Sequence, residues 1–344
     1  MNLDISKNIK AKNCSVTSYL VSYYLEGDAD CRKINIPNNY AYVLDNRNLN
    51  IISKDAIEKL TGFKPKKILR TKLMFGVCQL CDGHKELKRS HVIGASVFSK
   101  ILKLSSINAA VLVSMNKNEL KLSNDNWTSY MLCNECESHF NSNYEDYSIH
   151  ALRNEIDGLS SLKTEHGIIF NGIDTNKIIL YVLSIYWRAS LSVASAYNKV
   201  LITNGIYENL KNVFLGKFNF DSNVFKIRIC KLIDEAQAVN EFKLQYFIIF
   251  PFVRLIGKGL VYSFVFEGYL FQIFINCTNM LEKEGIRGLI DNQASTILIP
   301  YIDFCNISEI KEILQQGVVL VEQDQKILSL CLKESENLDS SSMA

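Results

Sequence analysis

The chain has 344 residues, 48% hydrophobic and 22% charged, with a formal net charge of +2. That balance excludes an intrinsically disordered chain, and the length allows a sizeable core and more than one domain. The polar start MNLDISKNIKAKN leads into no apolar segment, and the apolar run 244–256 is too short to cross a bilayer, so a soluble cytoplasmic protein without a membrane partner is expected.

Residues 1–70 read as a small mixed region. Residues 15–25 are apolar and Tyr-rich and suit either strand or helix, residues 45–50 resemble a turn, and Ser53 is placed to cap a short helix ended by Gly62 and Pro65. Residues 71–165 form a second segment. Phe75-Gly76-Val77 leads into Cys78 and Cys81, and Lys88 to Ile93 reads as a strand returning from the turn at Gly83. A helix is expected from Gly94 to Leu104, because Val97, Phe98, Ile101 and Leu102 fall at helical spacing. An insertion rich in Ser, Asn and Lys follows over 105–130, then Cys133 and Cys136, then a helix over 136–156.

Residues 166–332 read as buried helix and then antiparallel sheet. The pattern over 176–213 is too apolar for an exposed helix. The stretches 246–250, 260–266 and 269–275 are β-branched and aromatic, with Gly-containing turns between them, so hairpins are expected. Another strand is expected over 296–301 and a short helix over 308–315. The polar, Ser-rich end, 333–344, reads as a disordered tail.

Four of the ten cysteines fall into two C-x2-C pairs, Cys78/Cys81 and Cys133/Cys136, and the other six are scattered. In a reducing compartment paired spacing points to metal and scattered spacing to buried free thiols. Two such pairs complete a tetrahedral shell of four thiolates, which suits a structural zinc ion. The 51 residues between Cys81 and Cys133 exceed a simple zinc ribbon, so functional residues are expected between the pairs. A zinc held by four thiolates has no open position, and any catalysis must come from other side chains. His91, in the strand after the first pair, can activate water. Glu137 and Asn141, four apart and so on one face of a helix, can hold a hard cation. Ten Lys or Arg lie between Lys64 and Lys103 against two acids, a surface able to follow phosphates, with Lys88 and Arg89 beside His91.

The pattern Cys78-x2-Cys81, Lys88-Arg89-Ser90-His91-Val92-Ile93 and Leu132-Cys133-x2-Cys136-Glu137 resembles the zinc-stapled branch of the HNH endonuclease family, of bacterial and phage type. Residues 183–190, LSIYWRAS, resemble a segment that follows the module in such proteins. The resemblance implies an α+β fold with a treble-clef ββα-type zinc module. It implies His91 as general base, Asn141 and Glu137 as ligands of a catalytic Mg2+ or Mn2+, and Asn126 or Asn124 as the residue orienting the base. It further implies a metal-dependent endonuclease acting on DNA, in restriction or antiphage defence. Ser90 departs from the pattern, because many family members carry a carboxylate there as a metal ligand. That departure keeps two other readings open: an inert nucleic-acid-binding module, and a protein-interaction scaffold. A homodimer, or a partner protein bound through the C-terminal half, also stays open.

Overall fold

In the computed structural model the described residues are 3–9, 18–23, 32–37, 40–45, 48–53, 74–104, 110–114, 119–123, 127–236, 244–256, 259–277 and 286–324. Five strands come first: β1 (Leu3–Ile9), β2 (Ser18–Tyr23), β3 (Arg32–Pro37), β4 (Tyr40–Asp45) and β5 (Asn48–Ser53). Then come β6 (Met74–Val77), β7 (His84–His91), helix α1 (Ala95–Leu104), β8 (Ala110–Ser114), β9 (Glu119–Ser123) and β10 (Thr128–Cys133). Helix α2 (Asn134–Phe140) runs through a π-helical turn, Asn141–Glu145, into α3 (Asp146–Leu152). Strands β11 (Ser160–Thr164) and β12 (Gly167–Asn171) precede helices α4 (Thr175–Leu191) and α5 (Asn204–Phe214). The chain closes with β13 (Phe225–Ile233), β14 (Ile249–Ile256), β15 (Gly259–Phe266), β16 (Tyr269–Ile275), β17 (Thr296–Asp303) and α6 (Ser308–Gln323). The fold is mixed α+β, and no helix among the described residues is long and apolar enough to cross a membrane.

The chain divides into two units, residues 1–90 with 129–138 and residues 91–128 with 139–344. In the first, β1-β2-β3 form an antiparallel sheet and β4-β5 a hairpin whose register pairs Asp45 with Asn48, so that Asp45 and residues 48–50, expected in a turn, belong to the strands. A third sheet has the order β10-β7-β6, and β6 and β7 pair antiparallel from Met74↔Leu87 to Val77↔His84. Of residues 15–25, open between strand and helix, the described ones form strand β2 (Ser18–Tyr23). Ser53 ends strand β5. The helix expected after it lies outside the described residues, as does the tail over 333–344.

The second unit is built on a seven-stranded sheet of order β11-β12-β17-β13-β16-β15-β14. Strands β15 and β16 are buried along almost their whole length, as a central position demands. The sheet was expected to be antiparallel, but β13 and β17 pair parallel through Lys231↔Tyr301, Leu232↔Ile302 and Ile233↔Asp303. Along FKIRICKLI of β13 the apolar residues are buried except Ile233, and Lys226, Arg228 and Lys231 are half-buried, an alternation interrupted once at Ile229–Cys230. The boundary expected at 165/166 falls in the turn of the β11–β12 hairpin, and both strands belong to this sheet. The insertion over 105–130 carries the β8–β9 hairpin, paired from Ala110↔Ser123 to Ser114↔Glu119.

Helix α4 starts where Asp174 accepts a hydrogen bond from the Lys177 N–H at 3.1 Å, an N-cap. It is buried on every side from Ile178 to Ala189, which makes it a central helix. Tyr186 packs on Tyr262 of β15 with ring centroids 4.8 Å apart, and Trp187 stacks on Tyr207 of α5 at 5.6 Å.

Candidate functional site

The first cysteine pair occupies the turn from β6 to β7. Cys78 N–H donates to the Gly83 carbonyl at 2.9 Å, and Asp82 N–H donates to the Cys78 carbonyl at 2.9 Å. Asp82 closes the turn with φ +56°, a left-handed conformation that Asp tolerates better than most residues. The second pair straddles a strand–helix junction, with Cys133 ending β10 and Cys136 in the first turn of α2. Hydrogen bonds join the pairs: Cys133 N–H donates to Cys78 Sγ at 3.3 Å, and Gln79 N–H donates to the Met131 carbonyl at 3.0 Å.

The four Sγ atoms lie within 4.8 Å of one another, with Cys81 Sγ and Cys133 Sγ at 3.9 Å. Four sulfurs at about 2.3 Å from a zinc ion define a tetrahedron with edges of about 3.8 Å. The cluster therefore has the donor set and size to hold a metal ion such as zinc. Burial opposes ionisation of the Cys78 thiol, but N–H groups of Cys81, Cys133 and Leu80 outweigh it and bring its pKa below the usual value. Burial pushes Cys133 up to about 11 and Cys136 higher still. Thiols crowded this closely are the arrangement that a divalent cation relieves by displacing their protons. At the edge of the cluster Lys85 pairs with Glu135 at 2.8 Å and holds that exposed carboxyl below its usual range.

Compared with known proteins, the chain matches no family model, no curated protein and no solved structure.

Among the described residues the scattered cysteines Cys230, Cys277 and Cys305 are free thiols, the first two buried and the third exposed. Cys14, Cys31 and Cys331 lie outside the described residues. His84 is exposed at the start of β7. His139 is half-buried. Its Nε2–H donates to the Phe214 carbonyl at 3.0 Å, and Asn143 Nδ2 donates to its Nδ1 at 2.9 Å.

His91 is the last residue of β7 and is half-buried, while Ser90 before it is fully buried. Strand alternation accounts for this, since successive side chains point to opposite faces. Lys88 pairs with Glu86 at 2.8 Å, and Arg89 is exposed. Glu137 was expected to share a face of one regular helix with Asn141. The regular helix instead ends at Phe140, and Asn141 opens the π-helical turn. A wider turn shifts the angular register of everything after it. Asn141 is exposed, and Glu137 Oε2 is buried with no hydrogen-bond partner. Asn124 and Asn126 lie outside the described residues.

Arg188 of α4 is 1% exposed, and its partners are not evident from sequence. Its Nη1 donates to the His91 carbonyl at 2.8 Å, and its Nη2 donates to Glu145 Oε2 at 3.1 Å. The only sequence sign was a charged residue inside an apolar helix, in LSIYWRAS.

Proposed function

We propose that this chain is a metal-dependent endonuclease of the zinc-stapled HNH type, acting on DNA phosphodiester bonds, with a role in restriction or antiphage defence. The observation that carries this reading is the four-cysteine cluster at the root of β7, the strand that ends in His91. A knuckle turn between two strands and a second cysteine pair across a strand–helix junction support a treble-clef module stapled by zinc. Such an ion, saturated by Cys78, Cys81, Cys133 and Cys136, would be structural, because four thiolates leave no position for substrate.

His91 takes a proton from the attacking water. The resemblance assigns Glu137 and Asn141 to a Mg2+ or Mn2+ ion, which when bound would stabilise charge on the scissile phosphate. The partnerless Glu137 Oε2 suits such a role, since a buried carboxylate oxygen without a donor gains from a cation. Lys88 and Arg89 lie next to the base in sequence and would meet backbone phosphates.

The burial of Ser90 favours a second reading, a nucleic-acid-binding module without catalysis, because that position offers no oxygen at the surface. Incubation of plasmid DNA with Mg2+, Mn2+ or EDTA, for wild type and His91→Ala at equal zinc content, separates the two. Divalent-dependent nicking lost in the variant supports the nuclease. Salt-sensitive binding by both proteins without cleavage supports the inert binder.

A further inference from the structure

We infer that Arg188 is a positioning residue, holding the backbone of His91 in place with Glu145 as its counter-ion; this rests on the reading of His91 as the base. Every part of the guanidinium is engaged. Besides the His91 carbonyl and Glu145, Nη2 donates to Ser184 Oγ at 3.3 Å, Nε donates to the Ser184 carbonyl at 3.4 Å, and the group lies 5.4 Å from the Phe140 ring centroid. The contacts join chain segments 97 and 43 residues from Arg188.

Packing alone does not explain an arginine here. Its neighbours on α4, including Leu183, Ile185 and Trp187, are buried and apolar. A hydrophobic side chain of similar size would fill that volume without desolvating a charge. What the arginine adds is direction. Its planar fork binds a carboxylate on one side and a backbone carbonyl on the other, at fixed angles that an ammonium cannot reproduce.

The carbonyl it takes belongs to the residue where β7 ends and the chain bends through Val92 and Ile93. Fixing that peptide fixes the Cα–Cβ direction of His91 and so the approach of its imidazole. Gly94 completes the arrangement. A Cβ there would come within 2.5 Å of Glu145 Oε1 and 3.1 Å of Ile149 Cδ1, so the missing side chain lets the carboxylate stay beside the bend.

The test uses the full, zinc-loaded chain in two variants. Arg188→Lys keeps the charge and loses the fork. Arg188→Met with Glu145→Leu removes both charges and leaves no orphaned ion. Imidazole NMR reads His91 directly, as one of five histidines in the chain, its signal assigned by its loss in His91→Ala. Hydrogen exchange reads the amides of residues 92–94. In both variants we expect a broadened or doubled His91 signal and faster exchange at those amides. We also expect a fall in kcat on the order of 10–100-fold with KM little changed, as for a displaced catalytic group. Folded variants with a single wild-type His91 signal and wild-type exchange overturn the inference, whatever their cleavage rate. If wild type itself cleaves no DNA, the nuclease reading falls, and the NMR and exchange data still decide whether Arg188 holds His91.

Discussion

Glu267 sits at the tip of the β15–β16 hairpin, and the geometry there lets the effect of its charge be worked out. It has φ +55° and is followed by Gly268 at +70°, so a non-glycine residue occupies a left-handed position. That conformation costs roughly 1–2 kcal/mol for an L-residue. The carboxylate offsets it. Arg153 Nη2 donates to Oε1 at 2.5 Å and Nε to Oε2 at 3.2 Å, while Lys100 Nζ donates to Oε2 at 2.9 Å. The Glu267 side chain is 8% exposed, against 19% for Arg153 and 29% for Lys100. Glu267→Gln keeps shape and turn but leaves two partly buried cations facing no anion. Breaking a buried pair costs about 3–5 kcal/mol. Lys100, the most open of the three, regains water, which places the expected loss near the lower end, about 3 kcal/mol. For a unit of this size that lowers Tm by about 6–12 °C.

The pH dependence adds a second check. Burial raises the Glu267 carboxyl, but Arg153 and Lys100 outweigh burial and leave its pKa below the usual value. Its contribution is therefore complete above the unfolded value of about 4.3 and is lost as pH falls through the lower folded one. Thermal unfolding followed by circular dichroism from pH 7 down to pH 3 should show the Gln variant destabilised at neutral pH and converging on wild type in acid. A variant within about 0.5 kcal/mol of wild type at pH 7, the range of ordinary surface changes, would refute the argument.

Two further predictions concern the metal cluster and the sheet edge. Purified protein should carry one zinc per chain by elemental analysis, and Cys136→Ser should abolish stoichiometric zinc and cost several kcal/mol, about the scale of a lost structural metal ligand; full metal retention in that variant would rule out a four-thiolate site. Arg254 and Glu309 pair between β14 and α6, and the guanidinium holds the Glu309 carboxyl down to about 2 from 4.5. Because the pair is partly solvated, Glu309→Gln should cost only about 1 kcal/mol, present above the unfolded value and lost as pH falls towards the folded one. Urea titrations at pH 7 and in acid would show it, and an equal loss at both would contradict it.

What could be read from the chain was what local sequence determines. The C-x2-C spacing anticipates the cluster, because each pair needs only its own turn to present two sulfurs. The hairpin β15–β16 and helix α1 follow from strand-type composition and helical periodicity in the same way. Strands β11, β12 and β13 are less legible in the sequence, because their pairing reaches far along the chain, as between Ile168 and Ile299. The alternation FKIRICKLI was a usable signal for β13. The break after Phe140 left no mark in the residue pattern, since a π-helical turn is made by one shifted hydrogen bond. Arg188 and Glu267 make the same point about side chains: their charges are visible in the sequence, but their partners are set by tertiary folding.

Ser90 bears directly on the proposed chemistry. It is fully buried, and its hydroxyl donates to the Lys88 carbonyl at 3.4 Å. A carboxylate at this buried position would lose its hydration, which is costly unless a charge or a hydrogen-bond donor compensates. A serine there is thus what the interior face of β7 demands, while His91, one residue on, is turned the other way by strand alternation. An ion in the proposed centre would therefore gain no carboxylate ligand from Ser90. On the proposed reading its affinity would rest on Glu137, whose Oε2 is buried without a partner, and on Asn141, which is exposed. With fewer carboxylates, the ion would bind weakly in the free protein and more tightly once a phosphate supplies further oxygens. On this argument, cleavage would need a higher divalent concentration than zinc retention does, so the two metal requirements should separate in a single titration.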